Sequence, residues 1–413
     1  MIGQVLCAMV VASGSESAPR IDWDTLISSA RTDPQVTSAR TQLKELHRTD
    51  GTLLWDKLGA KWNLKRGDFK EVEYDVRVSP TAWGERSANR ATWDARRSLG
   101  SAQADLANSE AILDRLQTGL QWVEESREAA YHQALCDVYD ARLNTMGKLV
   151  GDARFDPRDL IATQLLRTES AAEVVADLSG KDAMEKRLQA FSSGNGSISL
   201  DTHLVSLARV QEVVDTLGRE LTGNSPDLLV AGRKLDVAAG MNELEKTQSS
   251  RWLDYIQVGW TWVDTATLSK RNRSGTDWRV VTAEVGIVLP FFDGSSQDRA
   301  RRQAALADAR GEYLQQRRDL ERKLSVQRME IASLLRQRAV LDSLSAKVDA
   351  GALFGAYAMK SGGDPLLLLQ AKATTLETTW RSEKLRFEIL NRYLNILHLT
   401  GRLVQGGNPL VGN

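Results

Sequence analysis

The chain has 413 residues, with 54 basic and 54 acidic side chains and a formal net charge of zero. That balance argues against the basic footprint of a nucleic-acid binder and against an acidic tail. Only eight prolines interrupt a sequence rich in Ala, Leu, Gln, Arg and Glu, which favours long helices. No uninterrupted apolar run approaches the roughly 18 residues of a membrane-spanning helix, so a membrane location would require a β-barrel.

The chain opens with an apolar stretch, Ile2 to Ala12, followed by Ser13-Gly14-Ser15. This has the apolar region and exit of a secretory signal without its basic start, so residues 1–18 are expected to be a defective or truncated signal segment. A plain buried or disordered start is the alternative. Cys7 and Cys136 are the two cysteines, and Gln4-Val5-Leu6 before Cys7 is a poor match to a lipidation site. A disulfide scaffold is excluded.

From there the sequence says the same thing twice. The first repeat, 19–191, starts with a short helix opened by Asp33-Pro34-Gln35-Val36. A strand hairpin over 52–79, a long helix over 84–150 and a return helix over 157–191 follow. Residues 192–203, rich in Gly and Ser, form a linker. The second repeat, 204–403, has a helix over 224–250, a hairpin over 252–290, a long helix over 295–350 and a return helix over 365–399. Residues 404–413 form a flexible tail.

The strands carry a period of two. Leu54, Leu58, Ala60, Trp62 and Leu64 share one face, with Lys57, Lys61, Asn63 and Lys65 opposite. Trp252, Ile256, Val258, Trp260 and Trp262 make the matching face in the second repeat, and Asp56 and Asp254 break both faces at the same place. The return strands alternate through Val72, Tyr74, Val76 and Val78, and through Val281, Ala283, Val285, Ile287 and Leu289. Aligning Pro80 with Pro290 puts the return strands one residue out of phase, so a bulge or slip is expected in one of them. Such alternation fits a half-buried soluble sheet as well as a barrel strand. Trp55, Trp62, Trp252, Trp260, Trp262 and Trp278 crowd the strand segments as an interfacial girdle would, which favours the barrel. Leu58, Trp62, Val258, Trp260 and Trp262 are the candidate lipid-facing residues.

In the long helices, Ala88, Ala91, Ala95, Leu99, Ala102, Leu106, Ser109, Leu113, Leu116, Leu120 and Val123 recur at threes and fours. Leu320, Leu324, Ile331, Leu334, Leu341 and Val348 do so in the second repeat. Both read as narrow coiled-coil seams that require partner helices. Asp156-Pro157 and Asp364-Pro365 supply N-caps and first helical positions for the return helices. His47, His132, His203 and His398 show no metal or triad spacing, no phosphate-cradling loop is present, and helical acids lie among Arg and Lys as a solvated face. No enzyme activity, catalytic residue, metal or cofactor is expected.

The Asp33-Pro34 opening with Ala39-Arg40, the run Val288-Leu289-Pro290-Phe291-Phe292-Asp293-Gly294, and Leu368-Leu369-Gln370-Ala371 with Leu397 and Thr400-Gly401-Arg402-Leu403 resemble the TolC-like outer membrane efflux protein family. The resemblance implies a mainly α fold with a small β part. Each protomer of a homotrimer would give four strands to a twelve-stranded transmembrane β-barrel and its long coiled-coil helices to an α-barrel. It implies a passive outer-membrane conduit of a Gram-negative cell, its helices in the periplasm, serving a tripartite efflux or type I secretion system. Small toxic compounds, metals or secreted proteins would be the cargo. A periplasmic adaptor protein and an inner-membrane pump would be its partners beside membrane lipid, with no nucleic acid. The adaptor-binding tips map to Gly151, Arg154, Phe155 and Asp159, and to Tyr357, Gly362, Gly363, Asp364, Leu367 and Gln370. Leu367 and Gln370 stand where some members carry gating acids, while Asp159 and Asp364 read as helix-start charges. The alternative is a non-channel periplasmic coiled-coil scaffold.

Overall fold

A computed structural model describes residues 20–48, 55–64, 71–151, 156–192, 196–217, 224–263, 279–287, 295–347, 365–404 and 408–411. Its elements are β1 (Arg20–Ile21), α1 (Trp23–Ser29), a 3-10 turn (Ala30–Thr32), α2 (Pro34–Arg48), β2 (Trp55–Leu64) and β3 (Glu71–Pro80). Then come α3 (Glu85–Lys148), α4 (Pro157–Phe191), β4 (Ser197–Ile198), α5 (Leu207–Leu217) and α6 (Pro226–Ser249). The chain continues through β5 (Leu253–Val263), β6 (Arg279–Ile287), α7 (Ser295–Lys347) and α8 (Pro365–Leu399). Short helix, hairpin, long helix and return helix thus occur twice, in a mainly helical chain with a small sheet. The expected signal segment, both hairpin turns and Val288–Gly294 lie outside the described residues.

Helix ends follow local chemistry. Asp156 accepts a hydrogen bond from the Arg158 amide at 2.8 Å and Pro157 takes the first helical position of α4. Glu85, the first residue of α3, accepts from the Ala82 amide at 2.7 Å and so fixes the turn that enters the helix. At the end of α8, Gly401 adopts φ 71°, so its amide reaches the His398 carbonyl and the Arg402 amide reaches that of Leu397. This Schellman turn gives Thr400-Gly401-Arg402-Leu403 its structural meaning.

The chain forms two compact units that cut across both repeats: Met1–Thr37, Asn108–Thr222 and Arg322–Asn413 make one, and Ser38–Ala107 with Gly223–Glu321 make the other. The first has a layered apolar core. Ile21, Trp23 and Leu26 enter it from the N-terminal elements, Leu116, Leu120 and Val123 from α3, and Phe387, Ile389, Leu390 and Leu394 from α8. β1 pairs in parallel with β4. Arg115 is buried at the centre, donating to the Ser29 hydroxyl, the Ala111 carbonyl and the Asp33 carboxylate while lying over the Phe191 ring. A Cβ on Gly119 would stand 2.6 Å from the Trp23 ring. Gly119→Ala should therefore cost about 1–3 kcal/mol through overpacking, seen as a lower denaturant midpoint; an unchanged midpoint would show that Trp23 moves freely.

The second unit carries the antiparallel sheet, in the order β2-β3-β5-β6. Among the described residues the expected slip in a return strand is not there. Both return strands keep phase, with Val78 opposite Leu58 and Val285 opposite Ile256. The irregularities fall instead in the outgoing strands, between Trp55 and Lys57 and between Leu253 and Tyr255. Asp56 and Asp254 are the inserted residues, so each repeat spends one residue on a bulge. The proline alignment misled because the return strands match at Pro80 and Ile287, three residues before Pro290. Leu253, paired with Ile287, rather than Trp252, continues the apolar face.

The seam at the start of α3 also differs from the expected one. Thr92, Gly100 and Ala104 are buried while Ala91 is exposed. Gly100 sits against Leu43 and Leu46 of α2, whose packing sets this rotation. Further along, Ser109, Leu116, Leu120 and Val123 are buried as the heptad spacing requires, as are Leu320, Ile331 and Leu334 of α7.

Candidate functional site

The four strands align their side chains in rows. Leu58, Val78, Ile256 and Val285 form one, Ala60, Val76, Val258 and Ala283 the next, and Tyr74, Trp260 and Val281 occupy the third with Trp62 in register. This apolar face is open to the surroundings: Leu58 is 71% exposed, Val258 50% and Val281 70%. Of the candidate lipid-facing residues, Leu58, Val258 and Trp260 stand exposed on it. Trp62 and Trp262 hold positions in the same register, and their side chains are outside the described set.

The opposite face is polar; its residues are exposed on the edge strands, as at Lys57, Lys61, Thr282 and Glu284, and more enclosed on the central strands β3 and β5. Asp75 is 8% exposed, and Ser79 and Thr261 are also buried. A continuous exposed apolar face is the reverse of a water-soluble sheet, in which apolar side chains are withdrawn. The bulge at Asp254 serves this polar face. Its carboxylate lies 3.5 Å from the Arg77 guanidinium, which stacks 3.5 Å over the Tyr255 ring, and the Tyr255 hydroxyl donates to Glu284 at 2.7 Å. Asp254 thus joins the polar constellation instead of interrupting an apolar face, which corrects the expectation drawn from its spacing. The sequence showed Arg77, Tyr255 and Glu284 only as members of an alternating pattern; cross-strand register brings them together.

The helical tips are described in part. Gly151 is exposed with φ 101°, a left-handed conformation that ends the α3 turn. Asp159 lies exposed in the first turn of α4, and Leu367 and Gln370 are exposed near the start of α8. Arg154, Phe155, Tyr357, Gly362, Gly363 and Asp364 lie outside the described residues.

Two of the four histidines have defined partners. His132 Nδ1 is 2.7 Å from Asp177 and His398 Nδ1 is 2.9 Å from the Ser109 hydroxyl. The acids of α3 depart from the expected solvated face. Glu124, Glu125 and Glu128 line a cavity of about 640 Å³ with side chains of α4 and α8. Burial and the carboxylate of Glu128 push the Glu124 carboxyl up to about 7. Helical periodicity could not show this, because Arg187 of α4 and Lys384, Phe387, Glu388 and Asn391 of α8 supply the facing wall.

No family model matches the chain, and no curated protein matches it either. Solved structures do. The outer membrane protein VceC of Vibrio cholerae superposes with a TM-score of 0.70 at 13% identity, covering 92% of this chain and 96% of that one. The chain has the fold of the outer-membrane channels. The open-state channel MtrE of Neisseria gonorrhoeae gives 0.66 at 14% identity, covering 95% of this chain and 91% of its own. The Campylobacter jejuni channel CmeC gives 0.57 at 10%, covering 94% and 85%. The likeness to this outer-membrane channel fold thus extends over more than nine-tenths of the chain. Among the described residues no helix is long and apolar enough to cross a membrane.

Proposed function

We propose that the protein is a passive outer-membrane conduit, a trimer whose subunits each supply four strands to a twelve-stranded barrel. The observation that carries this reading is the reversed sheet. Its exposed apolar face suits lipid, and its polar opposite face suits a water-filled lumen. Among the described residues the sheet is open within one chain, since β2 and β6 each have one neighbour, and an open edge in lipid would leave backbone groups unpaired. With an even number of antiparallel strands, β6 of one copy and β2 of the next run in opposite directions. Repetition then closes the ring without a parallel junction.

The helices would lie in the periplasm of a Gram-negative cell, where the tips around Gly151 and Asp159, and around Leu367 and Gln370, dock onto an adaptor bound to an inner-membrane pump. Small toxic compounds, metals or secreted proteins would pass without chemistry in the channel. The structural likeness to VceC and MtrE supports this placement at the level of fold.

Membrane fractionation tests the reading. The protein should stay with the outer membrane through sodium carbonate extraction, and its deletion should sensitise cells to a toxic compound or block a secreted product. Release into the carbonate supernatant would favour a periplasmic scaffold instead.

A further inference from the structure

The acidic cavity of the first unit lies where α3, α4 and α8 meet. Its charges do not balance locally. From α3, Asp114 is neutralised by Arg187 of α4 at 2.5 Å, and Glu128 by Lys384 of α8 at 3.3 Å. From α8, Glu388 is held by Arg392, which also binds Glu330 of α7. From α4, Asp177 faces Glu125 and is hydrogen-bonded to His132 of α3. Glu124 and Glu125 remain.

Glu125 lies against α4 where there is no side chain: a Cβ on Gly180 would stand 2.7 Å from its carboxylate oxygen. It also accepts a hydrogen bond from Gln121. Glu124 faces the cavity, and the cation acting on it is Lys384, already engaged by Glu128. Three carboxylates, those of Glu125, Glu128 and Glu388, act on it in the opposite direction.

We propose that the α3–α4–α8 junction is a proton-operated clasp, closed while Glu124 carries a proton and loosened when Glu124 ionises into a cavity already holding uncompensated negative charge. Burial first, and then the charge of Glu128, raises the Glu124 carboxyl from 4.5 to about 7. The folded junction therefore holds a proton that the opened chain gives up. Its stability is full below about pH 4.5, falls as pH rises, and has lost this contribution above about pH 7. The clasp is independent of the channel reading, since it concerns helix packing within one chain.

Hydrogen exchange of the full-length protein tests it, followed on Pro365–Leu399 and corrected for intrinsic base catalysis. Protection of α8 should fall by up to about tenfold per pH unit between about pH 4.5 and 7 and level off above about 7. Glu124→Gln, which keeps the shape of the protonated acid, should abolish the fall and hold α8 closed at alkaline pH. Lys384→Met, which removes the one helpful cation, should move the pH at which the fall levels off upward. A flat profile in the unmodified protein, or an unchanged profile in Glu124→Gln, would overturn the proposal.

Discussion

Val258→Arg should abolish outer-membrane assembly, whereas Gln257→Arg, one residue earlier, should leave it largely intact. Val258 lies in the middle of β5 on the exposed apolar face, between Val76 and Ala283. An arginine at the bilayer midplane of a barrel costs about 2–4 kcal/mol, and a trimer would carry it three times. Gln257 belongs to the row of Arg77 and Glu284 on the polar face, where a charge meets other charges and water. Heat-modifiable trimer in the outer-membrane fraction is the readout. Equal tolerance of both substitutions would mean that the face carrying Val258 does not meet lipid.

Arg115→Met should destabilise the first unit by about 3 kcal/mol, toward the lower end expected when one partner of a buried ion pair is lost. Arg115 is 3% exposed and joins the N-terminal elements to α3 through Ser29 and Asp33. Methionine fills the volume but leaves the Asp33 carboxylate without its cation. Asp33 keeps some contact with water, which moderates the cost. Arg115→Lys should fall between the two, because one ammonium cannot serve three acceptors in the plane of a guanidinium. Adding Asp33→Asn to Arg115→Met should recover part of the loss in urea unfolding. An Arg115→Met protein as stable as the original would remove Arg115 from the assembly argument.

Much of this architecture was legible in the residues. The Asp-Pro openings, the alternation of Val76, Val258 and Val285, and the seam through Leu116, Leu120 and Val123 each follow from a local period or cap, and each element formed. The bulges were misplaced for a physical reason. A duplicated acid such as Asp56 and Asp254 looks like a flaw in an apolar face until pairing shows an inserted residue. The rotation of α3 near Thr92 depends on Leu43 and Leu46 of α2, which periodicity within α3 cannot anticipate. The polar constellation of Arg77, Tyr255 and Glu284 and the crowding around Glu124 were likewise hidden, since both join side chains distant in sequence. Neither has a motif.

The sharpest measurement is a single-cysteine scan of β5 from Tyr255 to Trp260 in reconstituted vesicles, with a fluorescent label challenged by brominated lipid and by aqueous iodide. Positions 256, 258 and 260 should be quenched by the lipid, and positions 255, 257 and 259 by iodide. A strand whose labels alternate in the opposite sense, or respond to iodide alone at every position, would contradict a sheet with lipid on its apolar side and water on the other.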